Sequence, residues 1–194
     1  MAAPVAPSRQ ALLALLLVSV LAAVAQAQEV PPPAYQVAAQ RAGIPSTVLY
    51  AVALHESGAR LNGRLVPWPW TLNVAGESRR FATRDDACAS LQRALRDLPP
   101  TRIDVGLGQI NLGYQRHRYR RACDVLDPYR NLGLAAEILR EQHTPGDDWL
   151  LAIGRYHRPA GGVPAARYRT SVSRHLARVL GKPALRANTR STLP

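Results

Sequence analysis

The chain has 194 residues and carries 25 basic against 13 acidic side chains, a formal charge of +12 in which nearly every cation is arginine. That length, less a leader, suits one domain with a real core. In a cytoplasmic protein the charge would point first to nucleic acid; in an exported one it points to anionic polymers, lipid headgroups or acidic peptides. An arginine-rich coding bias explains it as well, so charge alone selects no function.

Arg9 is followed by the uncharged apolar run ALLALLLVSVLAAV and then by Ala25-Gln26-Ala27. A basic start, a short apolar region and a small-x-small site make residues 1–27 a secretory signal peptide, and the run is shorter than the roughly 20 residues a spanning helix needs. The expected location is the periplasm, with no stable membrane span after cleavage. Residues 28–34 form a Pro-rich lead-in, and the domain is expected over 35–181. The first helix is expected over 35–42, ended by Gly43, and Pro45-Ser46-Thr47 opens a second, from Val48 to Ser57, with Gly58 as its stop. WTLNV and SRRFAT flank Ala75-Gly76-Glu77 as a small hairpin. Thr83 with Asp86 starts a helix over 84–97. The glycine-punctuated IDVGLGQINLG turns back toward the core, and the basic YQRHRYRRACD follows. Further helices begin at Pro128 and at Asp148-Trp149, the latter running through Tyr156, and the last spans 165–180. Residues 182–194 read as a basic flexible tail. The fold class is mainly α, with a small β-hairpin insertion.

Most chemistries fail on inspection. His55-Glu56 begins like HExxH, but Ala59 stands where the second zinc ligand belongs. There is no GxSxG elbow, and GLG within DVGLGQIN does not extend to GxGxxG. No metal or cofactor is expected. Cys88 and Cys123, the two cysteines, most simply form one disulfide in an oxidising compartment. Glu56 is what remains. It closes an almost wholly apolar helix, where desolvation and the negative end of the helix dipole both disfavour the anion. A carboxylic acid kept protonated near neutral pH suits a general acid. The plainer alternative is a surface ion pair with Arg60, one turn on.

Four blocks, in order, carry a resemblance: Glu56-Ser57-Gly58, then DVGLGQIN, then Asn131-Leu132 with Ala135-Ala136, then AIGRYH. In this order and spacing the chain resembles the soluble lytic transglycosylase (SLT) family, a branch of the lysozyme-like superfamily, over about residues 35–180. With its signal peptide and its WPWTLNV segment it looks most like the small members that accompany conjugation and secretion machinery. The resemblance implies a lysozyme-like SLT fold and cleavage of the MurNAc–GlcNAc linkage of peptidoglycan without water. It implies that Glu56 is the sole acid/base and that Ser57 helps hold Glu56 or a substrate amide. It places Gln109 and Asn111 in a substrate-lining loop and Tyr156 where the family's tyrosine bonds the catalytic carboxylate. Two departures stand out. Gly108 occupies a position where many members have Met, and His157, a candidate substrate contact, replaces the Asn that follows Tyr156, with Arg158-Pro159 in place of a small-Gly pair.

Trp68, Trp70, Thr71 and Asn73 fall where a lysozyme-like fold sets its β lobe over the cleft. Trp70 and Asn73 are candidates for sugar stacking and acetamido bonding, and a Trp cluster anchoring the hairpin is an equal reading. Asp104 reads as a turn-capping aspartate before Gly106, and Arg116 to Arg121 as a solvated face. The expected partners are peptidoglycan glycan strands and components of an envelope-spanning apparatus, not nucleic acid, for a monomer. Two rival functions stay open: a goose-type hydrolase on the same fold, with Asp104 as the second carboxylate, and a noncatalytic wall-binding protein.

Overall fold

A computed structural model describes residues 28–182; the predicted signal peptide, and the predicted tail from residue 183 on, lie outside the described residues. The chain is mostly helical, with two small antiparallel sheets. The helices are α1 (Pro33–Ala42), α2 (Ser46–Ser57), α3 (Arg84–Asp97), α4 (Pro128–Glu141), α5 (Trp149–His157) and α6 (Gly162–Val179). None of them is long and apolar enough to cross a membrane.

Helix α2 is the axis. Val48 through Leu54 are all buried, so the helix is apolar all round and must be covered on every side. It packs against α6, α1, α4 and α5, while α1 lies along α4 and α5 along α6. The lead-in is tied down as well. The Glu29 amide donates to the Val179 carbonyl (2.9 Å), and its carboxylate accepts from the Tyr50 hydroxyl (2.9 Å) and lies 3.2 Å from Arg178.

Side-chain caps start α3, α4 and α5. Thr83 Oγ1 accepts from the Asp86 amide, Asp127 from that of Arg130 and Asp148 from that of Leu150. Gly43, at φ +67°, closes α1 in the left-handed conformation that glycine adopts without strain. Gly58 ends α2 differently. It stays at negative φ and enters a strand directly, and a Cβ there would overlap the Leu54 carbonyl.

The β content exceeds the sequence expectation of one hairpin. β1 (Gly58–Leu61) and β2 (Arg64–Pro67) pair through an Asn62-Gly63 turn with both residues at positive φ, a standard two-residue hairpin signal. The expected hairpin is β3 (Thr71–Val74) with β4 (Glu77–Arg80). It extends into a four-stranded sheet of order β4-β3-β5-β6, adding β5 (Ile103–Val105) and β6 (Ile110–Asn111). Leu72, Val74, Ile103, Val105 and Ile110 are buried on one face of that sheet. On the other face Asn73, Asp104 and Asn111 stand directly opposite one another across three strands. Asp104 is therefore a strand residue accepting a bond from Asn111 Nδ2 (2.8 Å), not a turn cap.

Cys88 on α3 and Cys123 in the turn before α4 form a disulfide, with Cα atoms 5.3 Å apart. The basic run is largely the solvated face expected, with Arg116, His117, Arg120 and Arg121 exposed and Arg118 the main exception. Arg118 is 15% exposed and pairs with Glu137 and Glu141, and Arg116 lies over the Tyr119 ring.

Candidate active site

Glu56 is the penultimate residue of α2, half-buried where that helix gives way to β1. Among the described residues no arginine pairs with it, so the Arg60 bridge is absent. Its Oε1 instead accepts a 2.5 Å hydrogen bond from the Tyr168 hydroxyl on α6. Burial pushes its carboxyl up to about 7; the Tyr168 bond opposes the rise, and the charge of Asp104 adds to it. Tyr156 and Tyr168 are held well above the ordinary tyrosine range, chiefly by burial and then by Glu56, so both remain neutral donors.

Tyr168 is itself boxed by histidines. The His157 ring stacks on it at 4.6 Å and 5°, and His55 meets it edge-on at 4.9 Å and 89°. His175 lies 5.9 Å beyond His55. Burial, then the neighbouring histidine charge, lowers both His55 and His175, which favours their neutral forms.

The turn between β5 and β6, residues 106–109, is gripped by side chains from separate elements. Ser57, fully buried, places its hydroxyl 2.9 Å from the Leu107 carbonyl and 3.1 Å from that of Ala53. Asn131, buried on α4, accepts from the Gly108 amide (2.8 Å) and donates to the Val105 and Val125 carbonyls. Tyr156 donates to the Gly108 carbonyl (2.6 Å). Gln109 Nε2 donates to the Gly106 and Thr71 carbonyls. A Cβ on Gly106, which sits at φ +82°, would overlap the Asn131 amide. At Gly108 a Cβ would come within 2.7 Å of the Ala135 methyl and 3.0 Å of the Tyr156 hydroxyl. Tyr156 and Ala135 thus fill the space that a side chain in place of Gly108 would need.

This geometry corrects the roles expected of Tyr156 and Ser57 and shows which bonds the other candidates make. Tyr156 bonds the turn, not Glu56; the carboxylate's tyrosine is Tyr168. Ser57 faces backbone carbonyls and holds neither Glu56 nor an exposed amide. Asn111 commits its amide nitrogen to Asp104 and the Thr101 carbonyl, and its oxygen to the Gly113 and Tyr114 amides. Gln109's amide nitrogen is likewise spent on its own turn. Asn73 accepts from the Gly76 amide and braces the β3–β4 turn. Trp68 donates to the Phe81 carbonyl, which makes it a hairpin anchor. Trp70 packs edge-on against Trp68 and touches the core, with its indole nitrogen buried and lacking a partner among the described residues.

Tyr168 was missed at the sequence level, although a signal existed. It falls on the stripe Ala165, Tyr168, Val172, Val179 that α6 buries, and a buried tyrosine hydroxyl needs a partner. Among the described residues no cluster of three or more His, Cys, Asp or Glu could hold a metal. No family model, curated protein or solved structure matches the chain.

The grip on the turn predicts that Asn131→Ala, which strands one buried amide and two carbonyls, destabilises the protein by about 3 kcal/mol in urea unfolding. Glu56 predicts a pH effect of defined sign. Its folded value of about 7 lies above the ordinary 4.5, so between those values the folded chain keeps a proton that the unfolded chain releases. Stability falls as pH rises through that window and levels off above it, by ~3 kcal/mol in total. Glu56→Gln is expected to be more stable than wild type by that margin at pH 8, with the difference gone at pH 4, in parallel urea titrations.

Proposed function

We propose that the protein is a lysozyme-like peptidoglycan lytic transglycosylase, exported to the periplasm, which cleaves the MurNAc–GlcNAc β-1,4 bond without water. The observation that carries this reading is Glu56: a carboxyl at the end of a buried helix, raised to about 7 and bonded by Tyr168. At neutral pH such a group exists in both forms, so it can give a proton and take one back.

In the first step neutral Glu56 protonates the glycosidic oxygen as the C1–O4 bond breaks. In the second, the C6 hydroxyl of the same MurNAc forms a new bond to C1 and returns its proton to Glu56, leaving a 1,6-anhydro end. Tyr168 stabilises the carboxylate between the two steps and holds its orientation. One carboxylate suffices because the nucleophile belongs to the substrate. The Asn73–Asp104–Asn111 row supplies a polar wall, and the gripped turn fixes its position relative to α2. The role we assign to the cleavage is local opening of the wall for an envelope-spanning secretion or conjugation apparatus.

Asp104 favours a second reading. It is half-buried, its carboxyl is raised by burial, and its charge is felt at Glu56. A water activated by Asp104 would make the enzyme a hydrolase of the goose-lysozyme kind, acting with two carboxylates. Noncatalytic wall binding is the third reading, and it assigns no use to a raised carboxyl.

Mass spectrometry of purified sacculi digested with the protein separates the three. The transglycosylase yields anhydro-ended muropeptides, and Glu56→Gln lowers their rate by about 10³-fold or more. Reducing-ended fragments would establish the hydrolase. No fragments under conditions in which a control enzyme works would leave wall binding.

A further inference from the structure

We infer that the groove between α1 and α4 is a docking surface for an acidic amphipathic helix of a partner protein. The groove has a volume of about 540 Å³ and shares no residue with the Glu56 site. Its α1 wall is a stripe at helical spacing that includes Val37 and Arg41, and its α4 wall presents Tyr129, Arg130, Gly133 and Leu134. Val37 is 46% exposed and Tyr129 is 73% exposed, so two large apolar side chains face water at the same groove.

Gly133 is the most informative of these residues. It stands inside α4, where glycine is a poor helix former, yet nothing lies within 4 Å of the position its Cβ would take. Among the described residues no packing demands a glycine there. A second helix laid against α4 would, because a missing side chain lets the two backbones approach closely. Apolar side chains at i, i+3, i+4 and i+7 of a docked helix would then lie along the α1 and α4 stripes.

Charge selects the partner. Glu137, the acidic residue lining the groove, is already compensated by Arg118. Arg41 and Arg130 are exposed at the rims, and neither forms an ion pair among the described residues. The groove is therefore apolar at its centre and positive at its edges. Residues 1–27 and 183–194 contain no acidic side chain that could complement the arginines. A second copy would bring another net +12 to the contact. An acidic partner helix satisfies both the apolar stripe and the two arginines.

Fluorescence anisotropy with two labelled synthetic peptides tests the assignment. Both carry leucines at i, i+3, i+4 and i+7; one has glutamates flanking them and the other lysines. The glutamate peptide is expected to bind saturably and more weakly as salt rises, and the lysine peptide at least about tenfold more weakly. Gly133→Leu, which fills open space and leaves the fold undisturbed, should weaken the glutamate peptide by at least about tenfold, as should Arg41→Glu combined with Arg130→Glu. Sacculus digestion should be unchanged in both variants, which separates this site from the catalytic one. Equal binding of the two peptides, or undiminished binding to Gly133→Leu, would overturn the proposal. So would a dimer in light scattering that Gly133→Leu abolishes, since that would assign the groove to a second copy.

Discussion

The turn between β5 and β6 has no regular ladder to hold it, yet its backbone polar groups must be bonded wherever they are buried. Ser57 from the end of α2, Asn131 from α4, Tyr156 from α5 and Gln109 from within the turn meet that demand. The Gly106 amide adds a bond to the Thr71 carbonyl of β3. Five separate parts of the chain thereby acquire a common reference point. Because Ser57 is one of them, the end of the helix that carries Glu56 is fixed relative to the sheet that carries Asp104. The Trp68 amide bond to the Ser57 carbonyl and the Arg80 bond to the Gly58 carbonyl tie the same helix end to the strands that follow it.

The same requirement explains the small residues around the turn. Asn131 can reach the Gly108 amide and the Val105 carbonyl only if nothing projects from Gly106, and Tyr156 can reach the Gly108 carbonyl only if nothing projects from Gly108. Glycine is needed at both positions for close approach, and at Gly106 for its positive φ as well. Glu56 has the opposite character. Its environment does not satisfy its charge fully, since a single tyrosine hydroxyl stands against burial and a neighbouring carboxylate. A raised carboxyl costs folding stability at neutral pH, and the surrounding packed helices offset that cost.

The helices were legible because their signals are local. Thr83 and Asp148 cap the helices they precede, Pro128 opens α4, Gly43 ends α1, and the apolar run from Val48 to Leu54 marks the helix that must be central. The β1–β2 hairpin has a signal too, Asn62-Gly63, but one fainter than the aromatic landmarks of β3 and β4. Glu56 stood out for a physical reason, a carboxylate closing an apolar helix. Hydrogen-bond partners were another matter. Which of Tyr156 and Tyr168 reaches the carboxylate depends on how α5 and α6 lie against α2, and that is tertiary information. Asn111 and Gln109 carry groups suited to a sugar, but short strands and a tight turn engage both amide groups of Asn111 and the amide nitrogen of Gln109 locally. Polar residues near a site are as often its scaffold as its lining, and only the bonding pattern separates them.

The account rests on Glu56 holding its proton near neutrality. A ¹³C NMR titration of side-chain-labelled glutamate, with Glu56→Gln to assign the signal, measures this directly. The prediction is one carboxyl resonance that titrates near 7 and is missing from the variant. A Glu56 resonance titrating near the ordinary 4.5 would mean an ordinary solvated carboxylate and would contradict the proposed role.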